Sequence, residues 1–165
     1  GKVELIDWKG LWTSRPAAPR IEGVNHVAFG VHDMKVTTDF YKQLGFIDQI
    51  FESKEFFDPM APWYQVGRPL PGHHMTLWLS GEGAGIEPVR LTPLWEDCRG
   101  EWGHVGPMDF GIGVQNIKKA VATLKELGIE THSDIQVLDV GNTEFKYVYF
   151  KDPDDQYVSL VESNY

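Results

Sequence analysis

The sequence predicts an α+β fold built from two tandem βαβββ units. Residues 24–46 (VNHVAFGVHDMKVTTDFYKQLGF) align without a gap with residues 107–129 (PMDFGIGVQNIKKAVATLKELGI). Each copy opens with an alternating strand, continues into a helical pattern and leaves room for three more strands. Self-similarity of this kind within a chain of 165 residues indicates one supersecondary unit that is present twice.

The first strand of each copy has a bulky face and a small face. The bulky residues are Val27, Phe29 and Val31 in the first copy and Phe110, Ile112 and Val114 in the second. We expect this face to pack on the helix that follows. The other face begins with one polar residue, His26 or Asp109, and then carries only small residues. Because small residues leave space over a sheet, the pattern predicts a concave surface there.

A helix follows each first strand directly. Asp33 and Asn116 stand where an N-cap belongs, and Gly45 and Gly128 supply the left-handed stop. The apolar residues at helical spacing are Val36, Phe40, Tyr41 and Leu44 in the first copy and Ile117, Val121, Leu124 and Leu127 in the second.

Three further strands are predicted in each copy. They lie at about 47–56, 73–80 and 87–94 in the first copy and at about 129–140, 144–151 and 156–162 in the second. The stretch DPDD (152–155) indicates a turn. The glycine-rich SGEGAG (80–85) lacks the lysine and helix of a phosphate loop, so we interpret it as a hairpin connection. The proline-rich residues 57–72 are interpreted as an irregular loop.

These elements give one domain of two modules. We place an N-terminal extension at 1–20 and the domain at 21–165, with module 1 at about 21–100 and module 2 at about 104–163. Trp8 and Trp12 fall outside the repeat, so we expect them to anchor the extension on the domain or on a partner subunit.

Composition excludes several classes of function. The net charge of −9 argues against binding nucleic acid or an anionic membrane. No apolar run is long enough for a membrane span. The single cysteine, Cys98, rules out an internal disulfide and is interpreted as passive. We expect a cytoplasmic protein.

The stretches NHVAFGV, FYKQLGF and FKDPDDQYVSLVE, in this order and in a doubled layout, resemble the vicinal oxygen chelate superfamily. This is the group of glyoxalases, bleomycin-resistance proteins and extradiol dioxygenases, and the resemblance covers about residues 21–163. It implies curved mixed sheets around a cup-shaped cavity. It also implies a divalent metal held by His or Glu residues from the first and fourth strands of each unit, and often a homodimer.

Carried over by position, the resemblance implies an altered ligand set. His26 matches the first-strand ligand, and Asp109 stands where the second unit commonly has histidine. Aligning VRL (89–91) with the fourth-strand pattern puts Arg90 in place of a carboxylate, and Ser159 takes the corresponding place in module 2. Arginine has no lone pair for a metal but can fork onto an anion. We therefore expect no metal cofactor and an anionic ligand.

The roles of these residues stay open between alternatives. Arg90 either clamps a ligand anion or only pairs with Asp109 inside the cavity. His26 is either structural or an acid–base group. Thr92 and Ser159 either bond a ligand or satisfy a neighbouring strand. If the alternate face of the third strand packs on the helix, His74 and Trp78 face the cavity, where Trp78 could stack on a planar ligand.

The sequence therefore predicts a protein that binds a small, planar organic acid. We expect a metal-independent isomerase, epimerase or lyase in which His26 and Asp109 move a proton. One alternative is a binding protein that sequesters an antibiotic without chemistry. The other is a metal enzyme with displaced ligands, in which His26, His74 and Asp109 would hold the ion.

Overall fold

The structure is a computed structural model that describes residues 24–54, 72–81, 83–92 and 109–163. The predictions made for the 1–20 extension, for most of the 57–72 loop and for Cys98 lie outside the described residues.

Each module contains one strand, one helix and three more strands, as predicted. Module 1 consists of β1 (His26–Gly30), α1 (Met34–Gln43), β2 (Asp48–Ser53), β3 (Gly72–Leu79) and β4 (Gly85–Thr92). Module 2 consists of β5 (Phe110–Gly113), α2 (Ile117–Glu126), β6 (Gln136–Val140), β7 (Thr143–Lys151) and β8 (Tyr157–Ser163). The predicted strand at about 129–140 is shorter than expected, because ahead of β6 only an isolated bridge joins Thr131 to Phe150.

The modules form two four-stranded sheets with the same topology. The strand orders are β1-β4-β3-β2 and β5-β8-β7-β6. The first strand of each module pairs parallel with the fourth, and the remaining pairs are antiparallel. Both sheets are therefore mixed, and they do not close on each other.

The helix boundaries follow the predicted caps. The Asp33 side chain accepts from the backbone N–H groups of Lys35 and Val36, and Asn116 accepts from that of Lys119. Gly45 and Gly128 have positive φ angles of 101° and 75°, which favour glycine after a helix. The predicted apolar stripes were partly wrong.

Two stripe residues lie on the surface instead of in the core. Val36 is 52% exposed and Leu127 is 36% exposed. The buried residues of α1 are Met34, Thr37, Thr38 and Tyr41. Thr37 and Thr38 are therefore part of the buried side of α1. Their hydroxyl groups donate hydrogen bonds to Asp154 and to the backbone carbonyl of Met34.

One apolar core joins the two modules, and it defines two faces on each sheet. The core residues on the strands include Phe29, Trp78, Ile86, Val148, Phe150, Val158 and Leu160. They pack with Met34 and Tyr41 of α1 and with Ile117 and Leu124 of α2. We call the strand side that carries these residues the helix face and the opposite side the helix-free face.

Two buried carboxylates in the β7–β8 turn bind module 1. Tyr41 Oη donates to Asp152 Oδ2 at 2.9 Å, and Thr37 Oγ1 donates to Asp154 Oδ2 at 2.9 Å. The backbone N–H of His32 donates to Asp154 Oδ1 at 2.9 Å. The predicted DPDD turn is confirmed, and it also fixes the two modules to each other.

Among the described residues, no helix combines the length and the apolar character that a membrane crossing requires.

Candidate functional site

The helix-free face of module 1 holds a histidine and a glutamate in direct contact. Parallel pairing of β1 with β4 places Ala28 beside Glu87, so that Glu87 points to the same side as His26. His26 Nε2 lies 3.1 Å from Glu87 Oε2, and each side chain is 11% exposed. We call these two residues the His26–Glu87 pair. The sequence reasoning missed Glu87.

The imidazole of His26 is held at both nitrogens. Nδ1 lies 2.8 Å from Asn25 Oδ1, and Nε2 faces the glutamate. With oxygen on both sides, the ring donates at both contacts only when both nitrogens carry a proton. The amide of Asn25 and the carboxylate of Glu87 therefore fix the orientation of the ring.

Space lies next to the pair. Ala28 and Gly30 continue the same face of β1, and both are exposed. A Cβ added at Gly30 would meet no atom of the described residues within 4 Å. The small residues that predicted a concave surface therefore do leave room over the sheet.

The structure corrects the alignment of the fourth strand. Val27 pairs with Ile86 in module 1, and Phe110 pairs with Val158 in module 2. One residue further along each strand lie Glu87 and Ser159, which are therefore equivalent. Ser159 was placed correctly, but its counterpart is Glu87 and not Arg90.

Arg90 lies on the helix face, which contradicts its predicted position in the cavity. It is three residues beyond Glu87 and pairs with His74 across the sheet. Its Nε donates to the backbone carbonyl of His32 at 2.7 Å. Asp109 accepts instead from Tyr149, so among the described contacts no ion pair joins Arg90 to Asp109.

The predicted orientation of β3 was also wrong. Trp78 pairs with Ile86 and packs in the core, with Lys42 Nζ 4.3 Å from the centroid of its ring. His74 lies on this same side and contacts Glu52 Oε1 through Nε2 at 2.7 Å. The alternative metal set of His26, His74 and Asp109 is therefore not on one face. The Thr92 side chain lies outside the described part.

The helix-free face of module 2 carries Asp109 and a group of tyrosines. Tyr149 Oη donates to Asp109 Oδ2 at 3.2 Å. Burial first, and then the charge of Asp109 and this hydrogen bond, raise the pKa of Tyr149, so the phenol keeps its proton. Ser159 is buried beside Gly111, where an added Cβ would lie 3.2 Å from the serine hydroxyl oxygen. The position beside Ser159 thus accepts only glycine without rearrangement.

The described residues do not fit a divalent metal. The His26–Glu87 pair offers two donors, whereas the equivalent positions of module 2 are Asp109, already bonded to Tyr149, and the hydroxyl of Ser159. No group of three or more His, Cys, Asp or Glu residues that could hold an ion occurs within the described ranges. Two protein donors are fewer than the three that catalytic zinc sites use.

A cavity of about 480 Å³ lies where α1 meets the β7–β8 turn, and Lys151 also lines it. Phe40, Ile129 and Asp152 are among its lining residues. The Asp152 carboxylate is already bonded to Tyr41 and to the backbone N–H groups of Asp154 and Gln156. Because the Asp152 carboxylate already accepts hydrogen bonds from the protein, this cavity is a weaker candidate for a ligand site than the helix-free faces.

Paired βαβββ modules with polar residues on the first and fourth strands define the fold class of this chain. The family model of the Glyoxalase/Bleomycin resistance protein/Dioxygenase superfamily matches residues 23–160. The chain belongs to this superfamily, as the resemblance implied. A comparison with curated protein sequences gave no match.

Solved structures share the fold at low sequence identity. A glyoxalase family protein from Enterococcus faecalis is 22% identical with a TM-score of 0.62, over 85% of this chain and 97% of that one. One from Bacillus cereus is 15% identical with a TM-score of 0.64, over 92% and 98%. The fosfomycin resistance protein FosX from Listeria monocytogenes, complexed with Mn(II) and sulfate ion, is 18% identical with a TM-score of 0.53, over 87% and 93%. At these identities the likeness concerns the fold alone.

Proposed function

We propose that the protein binds a small organic molecule at its helix-free faces and moves a proton within it. The observation that carries this proposal is the contact between His26 and Glu87, whose nearly buried side chains lie beside the open space over Ala28 and Gly30. A carboxylate and an imidazole at hydrogen-bonding distance are the groups that general acid–base catalysis uses.

The two residues take different roles. Glu87 Oε2 is held by His26, so Oε1 accepts a proton from a C–H next to a carbonyl of the ligand. The electron pair of that bond moves to the carbonyl oxygen and gives an enolate. Glu87 then returns the proton, on the same side of the ligand, to another carbon conjugated with the enolate, and the net change is an isomerisation. His26 orients the carboxylate and balances its charge, and Asn25 orients His26.

This mechanism replaces two of the roles predicted from the sequence. Arg90 has no part in it, since its guanidinium bonds the backbone on the helix face. Asp109 is bonded to Tyr149, so Glu87 takes its place as the proton partner of His26. The residues that carry the proposal therefore come from module 1 alone.

Hydrogen–deuterium exchange tests the proposal even when the product of the reaction has not been identified. The protein is incubated in D₂O with a panel of small carbonyl compounds, and loss of their α-proton signals is followed by NMR. We expect exchange of at least one compound, and a loss of about a hundredfold or more in Glu87→Gln. Glu144→Gln is the matched control, because Glu144 is also on a strand but 46% exposed in its side chain and bonded to Lys146.

The other outcomes discriminate between the alternatives. A compound that binds without any exchange would contradict the proposal and support sequestration without chemistry. Exchange that appears only after a divalent metal is added would support the metal-dependent alternative. Equal exchange in wild type and Glu87→Gln would show that the reacting base is elsewhere.

A further inference from the structure

Three tyrosine rings line the helix-free face of module 2. Tyr147 and Tyr149 alternate along β7, and Tyr157 lies on the adjacent β8. The ring centroids of Tyr147 and Tyr149 are 5.9 Å apart at 74°, and those of Tyr149 and Tyr157 are 6.4 Å apart at 89°. Because neighbouring rings are nearly perpendicular, their faces point in different directions and the rings do not stack on one another.

One of these rings already holds an ammonium group. Lys151 Nζ lies 5.1 Å from the centroid of the Tyr157 ring. The same nitrogen is 3.9 Å from Asp155 Oδ1, which is the outer limit of an ion pair, and the lysine side chain is 37% exposed. The ring face is thus reached by a cation that is weakly held in place.

A carboxylate accompanies the rings on this side of the sheet. Asp109 is bonded to the hydroxyl of Tyr149, directly at the tyrosine group. In β5 the helix-free side carries Gly111 and Gly113, and within the described part of the chain a Cβ added at Gly113 would meet no atom within 4 Å. Room for a small group therefore lies on the strand that follows Asp109, while Arg90 is on the opposite side of its own sheet.

We propose that the ligand of this surface is an organic cation, a quaternary or protonated amine. Its positive group lies against the rings of Tyr149 and Tyr157 and is balanced by Asp109. This inference rests on the proposed function, because it names the chemical class of ligand that the helix-free faces take. It also reverses the sequence-based expectation of an anionic ligand, which depended on Arg90.

Choline and its neutral isostere 3,3-dimethylbutanol are the probes, because they differ in charge but hardly in shape. Binding to the full chain is followed by NMR titration of tyrosine ring signals. We expect a choline dissociation constant of about millimolar order, as suits so small a ligand. The isostere should bind about tenfold more weakly, in keeping with the strength of cation–π and charge pairing.

Four variants separate the parts of the proposed site. Asp109→Asn keeps an acceptor for Tyr149 and should weaken choline binding about fivefold to tenfold. Tyr157→Leu should weaken it by a similar factor, whereas Tyr157→Phe, which keeps the ring, should stay near wild type. Lys151→Met removes the competing ammonium and should strengthen choline binding about twofold to fivefold. A purely structural role of these residues predicts no gain from Lys151→Met.

Defined results overturn the inference. Equal affinity for choline and the isostere, no choline binding at all, or weaker binding in Lys151→Met would each contradict it. The proposed function is tested separately from the ligand class. In Glu87→Gln, we expect choline binding to persist while proton exchange is lost. Exchange confined to neutral or anionic compounds would leave the proton transfer standing and refute the cationic ligand.

Discussion

Replacing Tyr41 by phenylalanine tests the contact that fixes module 1 to module 2. Tyr41 is fully buried, and its hydroxyl donates to Asp152 Oδ2 at 2.9 Å. Asp152 is 5% exposed, and its other oxygen accepts the backbone N–H groups of Asp154 and Gln156. Tyr41→Phe removes one of three donors to a buried carboxylate and leaves the ring packing in place.

The expected cost follows from the charge of the acceptor. A hydrogen bond to a charged group contributes about 1.5–3 kcal/mol, so Tyr41→Phe should lower the free energy of unfolding by this amount at neutral pH. For a domain of this size the melting temperature should then fall by about 3–12 °C. A neutral hydrogen bond contributes only about 0.5–1.5 kcal/mol, so the cost should shrink where Asp152 is protonated.

The pH dependence has a definite sign. Burial is the main cause that raises the pKa of Asp152, and the Tyr41 hydrogen bond lowers it. Because the folded-state pKa is the higher one, protonated Asp152 favours the folded protein. Stability from this group is present below the unfolded pKa of about 3.9 and is lost as pH rises through the folded pKa. Without the Tyr41 hydroxyl the folded pKa rises further, so the variant loses more stability at pH 7 than near pH 4.

Urea denaturation at both pH values, followed by circular dichroism, measures the two costs. Tyr147→Phe is the matched control, since the described contacts of Tyr147 include a ring contact with Tyr149 but no hydrogen bond of its hydroxyl. It should change stability by less than about 0.5 kcal/mol. A Tyr41→Phe cost that is equal at both pH values, or no larger than that of the control, would refute the reasoning.

The remaining predictions concern the site, a helix end, metal content and assembly. Arg90→Met should lower the free energy of unfolding by about 1 kcal/mol in urea denaturation, because the bond to the His32 carbonyl is lost. A loss of several kcal/mol would instead support the buried ion pair between Arg90 and Asp109. Gly45→Ala, at a φ of 101°, should cost about 1–2 kcal/mol, and more than Gly30→Ala, where a Cβ meets nothing. Elemental analysis of dialysed protein should find no stoichiometric divalent metal, and about one ion per chain would contradict this. Light scattering should give the mass of a homodimer, a proposal that the exposed Val137, Leu138 and Val140 of the edge strand β6 support; a monomer at tens of micromolar would contradict it.

Local patterns allowed most of the fold to be predicted. The repeat, the caps at Asp33 and Asn116 and the glycines after both helices place the elements in order, because these signals depend only on neighbouring residues. The burial of Thr37 and Asp152 could not be predicted. Their polar side chains are buried only because the other module supplies their partners, which lie more than a hundred positions away.

The positions of the candidate site residues were predicted in part, and the placement of Arg90 failed through one alignment. His26 and Ser159 are on the expected face of the expected strands, whereas the fourth-strand pattern was matched to VRL and not to the IE of residues 86–87. A shift of three residues exchanges the two faces of a strand, so Arg90 was assigned to the cavity and Glu87 was missed. The orientation of β3 was predicted separately, on the assumption that its other face packs on the helix, and this placed Trp78 and His74 towards the cavity. Matching the two fourth strands to each other in the repeat would have found Glu87.

Proton exchange in Glu87→Gln and Arg90→Met, measured side by side in D₂O, tests the central claim most directly. The two residues are on one strand but on opposite faces, and only Glu87 contacts His26. We expect Glu87→Gln to lose about a hundredfold or more of the exchange rate, while Arg90→Met stays within about twofold of wild type. Loss of exchange in Arg90→Met with retention in Glu87→Gln would contradict the assignment of Glu87 as the base.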